Sequence, residues 1–335
     1  MSTEPESNVT ARFSQLIELS DVDELLREID RLCGGRRWGA LFQLREQCRT
    51  AVQRGKQLWP VASHAEYRLA LEAPGSWAAQ MLEPGTGRFT LGPLPEVAAS
   101  THGWNELAHD APPGPVAAIA AHERVVRGDD LSDDGRVDLD VLELPLALQA
   151  WEPAYPVAEY ESHDAHFPSP NMPRLARLDL PAPPSIRLDE AETCRALRDL
   201  VTPWTADSNG RAETVGVAGG VPDALAALGL RAARLAAVPL ADALAHMAWA
   251  GASGGAHGRR RGMAAGRFAA WWALAAVAGI LDAWPVPPDE LAHAAEDLQF
   301  YLWDASEPDT GWSLRLAVDD RAHGVAWALG ASDSA

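Results

Sequence analysis

The chain has 335 residues, of which 47% are hydrophobic and 22% are charged, a composition typical of a globular protein with a sizeable core. Its formal net charge of −19 argues against general binding to nucleic acid or to an anionic membrane, because neutralising phosphate requires a basic surface. Three scattered cysteines exclude a disulfide framework, and with no signal-peptide pattern or long apolar run we expect a cytoplasmic protein.

The N-terminal part of the chain predicts a disordered tail over residues 1–12, followed by consecutive short helices. In the first helix Ser20 is a suitable N-cap, and Leu25, Leu26, Ile29 and Leu32 recur at helical spacing. No fixed period identifies a class of helical repeat, so residues 13–127 are predicted to form an irregular helical (α-hairpin) domain. The predicted helices cover about 20–32, 38–57, 60–71, 75–82, 104–110 and 115–126.

Residues 128–185 have a different character, because proline and aspartate are frequent there and helical periodicity is lost. Such a segment is a linker or an extended strap packed across a surface. Its aromatic residues favour the packed strap; they are Trp151, Tyr155, Tyr160 and Phe167.

Residues 186–335 are predicted to form a mixed α+β domain, so the fold class is α+β. A helix over 188–201 precedes two strands, 213–220 and 231–240, with a helix over 222–228 between them. Two long apolar helices and a helix over 288–298 come next. Three final strands separated by turn residues indicate a meander.

The clearest candidate site is the connector between the two apolar helices, residues 251–262, which reads GASGGAHGRRRG. Glycines allow close backbone approach, and a helix that begins near Arg261 offers unpaired N–H groups and the positive end of its dipole to an anion. Arginine suits bidentate contacts with phosphate or carboxylate. In the alternative, the arginines pair with the protein's own carboxylates. The candidate ligand-binding residues are Gly254, Gly255, His257, Arg259, Arg260, Arg261 and Arg267.

A second hypothesis starts from Gly251–Gly255, which matches the G-x-S-x-G pattern of a nucleophile elbow. Ser253, Asp304 or Asp309, and His323 follow one another in the order that a serine hydrolase needs. An elbow requires a strand before the serine, however, and the preceding residues have the spacing of a helix. The hydrolase is therefore kept as the alternative function.

No metal site is predicted from the sequence. The stretch 130–141 resembles a calcium loop but has Val141 where the bidentate glutamate should be. His163, Asp164 and His166 lie close together in sequence and could contact a metal, but no third strong ligand is identifiable nearby.

The runs GGAHGRRRGMAAGRFAAWW and YLWDASEPDTGWSLRLAVDDRAHGVAWAL resemble an uncharacterised actinobacterial family of unknown function, mainly over residues 250–335. The resemblance implies no activity, cofactor or catalytic residue. We therefore favour a non-enzymatic binding or interaction protein without a cofactor. Its expected partner is another protein or a small anionic ligand, bound at residues 251–267, and its oligomeric state is left open.

Overall fold

The computed structural model describes residues 6–182, 187–188, 191–306 and 311–334, and these form two compact units. Unit 1 holds the chain up to Arg124 together with residues 133–141 and 158–166, and unit 2 holds the remainder. The proline-rich segment thus contributes residues to both units. Among the described residues, no helix has the length and apolar character needed to cross a membrane.

Unit 1 is mainly helical. Helix α1 begins at Glu6, so residues 6–12, which the sequence predicted as tail, are helical; residues 1–5 lie outside the described residues. Its helices are α1 (Glu6–Leu19), α2 (Val22–Gly34), α3 (Trp38–Gln53), α4 (Trp59–Glu72), α5 (Gly75–Ala78), α6 (Leu94–Thr101), α7 (Trp104–Leu107) and α8 (Pro115–Val125, which ends at the unit boundary).

The start of α2 illustrates how local chemistry sets a helix boundary. Asp21, rather than Ser20, caps the helix, because its carboxylate accepts a hydrogen bond of 3.1 Å from the Glu24 N–H. Leu25, Ile29 and Leu32 are fully buried at the spacing of one helical face. A two-stranded hairpin completes this unit, with β1 (Glu159–Tyr160) antiparallel to β2 (Ala165–His166).

Unit 2 is built on a six-stranded antiparallel sheet with the order β3-β5-β6-β7-β8-β4. Its strands are β3 (Ala176–Asp179), β4 (Arg211–Ala218), β5 (Ala232–Val238), β6 (Leu298–Asp304), β7 (Trp312–Asp320) and β8 (Val325–Asp333). Its helices are α9 (Ala191–Asp199), α10 (Thr202–Ala206), α11 (Val221–Ala227), α12 (Leu240–Ala252), α13 (Met263–Val277) and α14 (Pro288–Ala294).

The two faces of this sheet bury different clusters, since successive side chains of a strand point to opposite faces. Leu302, Leu314 and Leu329 join α9, α12 and α13 in the larger core, and we call their side of the sheet the α12 face. Trp303, Ala317 and Ala328 pack with α11 on the opposite side, the α11 face. The predicted α+β class is confirmed, with the helices of the C-terminal part covering both faces.

Candidate functional site

The connector 251–262 folds back on itself, and its glycines are required by close backbone contacts. A Cβ on Gly254 would lie 2.4 Å from the backbone of Gly258 and Arg259. Gly255 has a φ of +70°, and its Cβ would lie 2.2 Å from the carboxylate of Asp333. That same carboxylate accepts a hydrogen bond of 2.6 Å from the Ala256 N–H. The glycines therefore shape a compact loop against the end of β8.

The basic residues of the connector occupy different environments. His257, Arg259 and Arg261 are exposed, and Arg260 is half-buried with its guanidinium 4.7 Å from the ring centroid of Phe167. Arg259 and Arg260 also make further contacts, as do Met263 and Ala264 in the first turn of α13. The exposed guanidinium groups form a basic rim on this side of unit 2.

Arg267 differs from the other candidates, because it is fully buried in an internal ion pair with Glu152. Its Nε and Nη2 donate to the two carboxylate oxygens at 2.7 and 2.8 Å, and its Nη1 donates to the carbonyl of Pro145 at 2.8 Å. Tyr155 and Trp271 donate to Glu152 as well. The side chain predicted to meet a ligand is instead committed to the core.

Ser253 lacks the setting of an activated nucleophile. The segment before it is helix α12 rather than a strand, and the side chain is only 1% exposed. Its hydroxyl donates to the Ala250 carbonyl at 3.2 Å and accepts from the Trp204 indole N–H at 2.7 Å. These two hydrogen bonds indicate a structural role for Ser253, at the C-terminus of a helix that packs against the Trp204 ring.

The histidine proposed to complete a triad with Ser253 lies far from it. His323 precedes the first residue of β8, whereas the connector that follows Ser253 contacts Asp333 at the other end of this strand. Eight strand steps span about 26 Å. His323 is bonded to Asp320 at 2.7 Å, and Asp304 is paired with Arg234. Asp309 lies outside the described residues.

A cavity of about 730 Å³ lies on unit 2, within the size range of small-molecule sites. One wall is the stretch 169–175 of the proline-rich segment, which ends just before β3. The other walls come from α12, through His246 and Trp249, and from β5, β6 and β7 of the sheet, through Arg234, Leu302, Asp304 and Leu314.

Side-chain alternation decides which groups of the sheet face this cavity. Arg234 is the register partner of Asp304, and both lie on the α12 face with Leu302. Trp303 and Arg315 also border the cavity, but their side chains lie on the α11 face, where the guanidinium of Arg315 sits 5.7 Å from the Trp303 ring. They therefore contribute backbone rather than side chains.

Trp249 of α12 borders the cavity with a largely buried indole ring. The indole nitrogen of Trp249 is buried and has no hydrogen-bond partner among the described residues, although its ring stacks on Trp312 at 5.0 Å. A buried polar group without a partner is rare and is stabilised when a ligand or water supplies an acceptor. His246, one turn earlier, is already bonded to the Asn171 carbonyl at 3.3 Å.

Arginine and aspartate set the charge of the cavity. Arg234 binds Asp304 through two hydrogen bonds of 2.9 and 2.7 Å. Burial raises the pKa of Asp304, but the hydrogen bonds from Arg234 and the Ser306 N–H outweigh it and hold that pKa below its ordinary value. Arg174, from the proline-rich wall, is exposed and adds a second guanidinium. Two guanidinium groups thus stand against one carboxylate.

Sequence reasoning found the connector but did not find this cavity. Its residues come from five separate stretches of chain, which only the sheet and α12 bring together. The one local signal was the dense proline near residues 168–173, which was interpreted as a strap.

A family profile matches most of this chain. The profile of a family described as "Family of unknown function (DUF6183)" matches residues 23–334. The match extends far beyond residues 250–335 and confirms the expected membership in a family of unknown function. No curated protein and no solved structure matches the chain.

Proposed function

Because the chain belongs to DUF6183, a family of unknown function, its activity has to be argued from its own residues, and we propose that it binds a small anionic ligand in the cavity of unit 2. The observation that carries this proposal is a cavity bordered by two arginines, Arg174 and Arg234, and by Trp249, whose buried indole N–H has no partner among the described residues. A carboxylate or phosphate oxygen is the acceptor that satisfies such a set of donors.

The electrostatics favour an anion over a cation at this position. Asp304 uses both of its oxygens on Arg234, so its charge is compensated within the protein. Among the described residues, the Nη1 of Arg234 and the guanidinium of Arg174 have no hydrogen-bond partner, so both are available to a ligand. Because the protein carries a net charge of −19, such a local excess of positive charge stands out from the rest of the surface.

The connector has a supporting role in this proposal. Arg260 packs on Phe167, which lies two residues before the cavity wall begins at Ser169. The exposed Arg259 and Arg261 attract an anion to this side of unit 2. The contribution of each arginine to the binding free energy is small, and salt screens it. The function proposed from the connector is thus retained, with the ligand itself in the neighbouring cavity.

The proposal is tested by isothermal titration calorimetry with inorganic phosphate, pyrophosphate and citrate as probes. We expect measurable binding of at least one probe, and a loss of about tenfold to hundredfold in affinity in Arg174→Ala, the range for a hydrogen bond to a charged group. Trp249→Phe removes the pyrrole ring together with its N–H and leaves a benzene ring in place, and we expect a smaller loss of affinity because the donor removed is neutral.

Arg177→Ala is the matched control, because Arg177 is an exposed arginine three residues further along that pairs with Asp179 and does not line the cavity. Its affinity for the probe should equal that of the unaltered protein. Failure of all three probes to bind, or an equal loss in Arg177→Ala and Arg174→Ala, would refute the assignment of the cavity.

A further inference from the structure

Three potential metal ligands from distant parts of unit 1 meet at one point. They are Asp30 of α2, His64 of α4 and His163 of the β1–β2 turn, and each offers one ligand atom within 4.8 Å of the others. The Asp30 Oδ1 lies 3.3 Å from the His163 Nε2, and the two imidazole rings are stacked with centroids 5.4 Å apart.

We propose that Asp30, His64 and His163 form a binding site for a divalent transition metal, with Zn²⁺ as the preferred ion. Two imidazoles and one carboxylate are a ligand set typical of zinc with an open fourth position. Metal–ligand bonds of about 2.0–2.1 Å place neighbouring ligand atoms of a tetrahedron about 3.3–3.4 Å apart. The Asp30–His163 distance already has this value, and the ligand atom of His64 lies within 4.8 Å of the other two.

The surroundings hold these ligands in place. Arg68 donates to the Asp30 Oδ1 at 2.5 Å and is itself fixed by Glu72. Glu72 also accepts a hydrogen bond of 2.7 Å from Ser162, the residue before His163. Hydrogen bonds of this kind to ligating groups, and to the segments that carry them, orient the ligands of metal sites.

The local charge favours a cation. Asp30 and Glu72 supply two negative charges against the single positive charge of Arg68, which their carboxylates share.

The site is open to solvent, since 62% of the His163 side chain and 47% of the Asp30 side chain are exposed. An ion can therefore enter without unfolding, and water completes its coordination. The proposed ligands differ from the local group His163, Asp164 and His166, because Asp164 and His166 do not join the cluster.

The experiment is a titration of the intact metal-free protein with Co²⁺, followed by visible absorption, and then displacement by Zn²⁺. We expect one Co²⁺ per chain with the intense bands of a four- or five-coordinate site, and full displacement by Zn²⁺. His163→Ala should weaken binding by at least about tenfold, since even the loss of an outer-shell partner has an effect of that size. Asp30→Asn should do the same.

His166→Ala is the matched control, because His166 is an exposed histidine three residues along the same hairpin. Its cobalt affinity should be unchanged. Since His163 is largely exposed, its substitution leaves the fold intact, which circular dichroism verifies. Unchanged affinity in His163→Ala, or an equal loss in His166→Ala, would overturn the site, and neither result bears on the cavity of unit 2.

Discussion

Glu152 and Arg267 place two opposite charges, both with fully buried side chains, inside unit 2. Replacing Arg267 by Met removes the cation and leaves a buried carboxylate with only neutral donors. Breaking a buried pair in this way destabilises a protein by about 3–5 kcal/mol. We expect a loss of that size in the free energy of unfolding of Arg267→Met, measured from urea denaturation curves.

Arg261→Ala serves as the comparison, because this exposed arginine of the same region should change the free energy of unfolding by no more than about 1 kcal/mol. Equal denaturation midpoints for Arg267→Met and the unaltered protein would mean that the pair is not formed in solution.

His246 gives unit 2 a dependence on pH. Burial lowers the pKa of this imidazole below its ordinary value, although the Asn171 carbonyl and Asp242 act in the opposite direction. The unfolded chain therefore binds a proton more readily than the folded one does. Stability is highest above the unfolded pKa of about 6.5 and falls as the pH drops below it, towards the lower pKa of the folded state.

We expect His246→Gln, which cannot become charged, to lose less stability than the unaltered protein between about pH 7.5 and pH 5.5. Urea midpoints at the two pH values measure the difference. If both proteins lose the same amount, the acid sensitivity arises from other groups.

At the scale of elements, α12 and α13 cross at a contact that only glycine permits. A Cβ on Gly266 would lie 2.1 Å from the Ala248 carbonyl oxygen. A Cβ on Gly251 would lie 2.9 Å from the Cβ atom of Ala269. Gly266→Ala gains about 1 kcal/mol of helix propensity but forces the two backbones apart. Overpacking of this kind outweighs the gain, so we expect a net loss of about 2 kcal/mol.

Gly34→Ala is the control for this prediction. Gly34 ends α2, no heavy atom lies within 4 Å of its added Cβ, and alanine is expected to be neutral or slightly stabilising there. Thermal unfolding of both variants separates the stability loss caused by the close helix crossing from the intrinsic effect of replacing glycine by alanine. A Gly266→Ala variant as stable as the unaltered protein would contradict the close crossing.

The elements that sequence reasoning identified are those with a strong local period. The apolar stripes of α2, α3 and α4 and the strands β4 and β5 were predicted close to their observed bounds, and β6, β7 and β8 were predicted as a meander. Strand β3 was missed, because its four residues are mostly exposed and too few for a period of two to stand out in the sequence. Helix α1 was missed because a polar start hides Phe13 and Ile17, its buried residues.

At the scale of the whole molecule, the environment of each candidate site residue was harder to predict than the fold. Arg267 looked like Arg261 in sequence, and only the packing of residues 145–152 against α13 distinguishes the buried arginine from the exposed one. His64 lies about a hundred residues from His163, and nothing local to either histidine indicates the other. Such pairings depend on tertiary contacts, which periodicity does not encode.

The strand order of unit 2 has a consequence for the time course of folding. Strand β4 ends at Ala218 and pairs with β8, which begins at Val325, so more than a hundred residues must be synthesised before β4 finds its neighbour. Closing so long a loop carries an entropic penalty, and non-local pairing of this kind slows folding. Until then the apolar side chains of β4 and α11 lack the strand that covers them. During translation this incomplete sheet exposes apolar surface, to which a chaperone or a neighbouring nascent chain can bind.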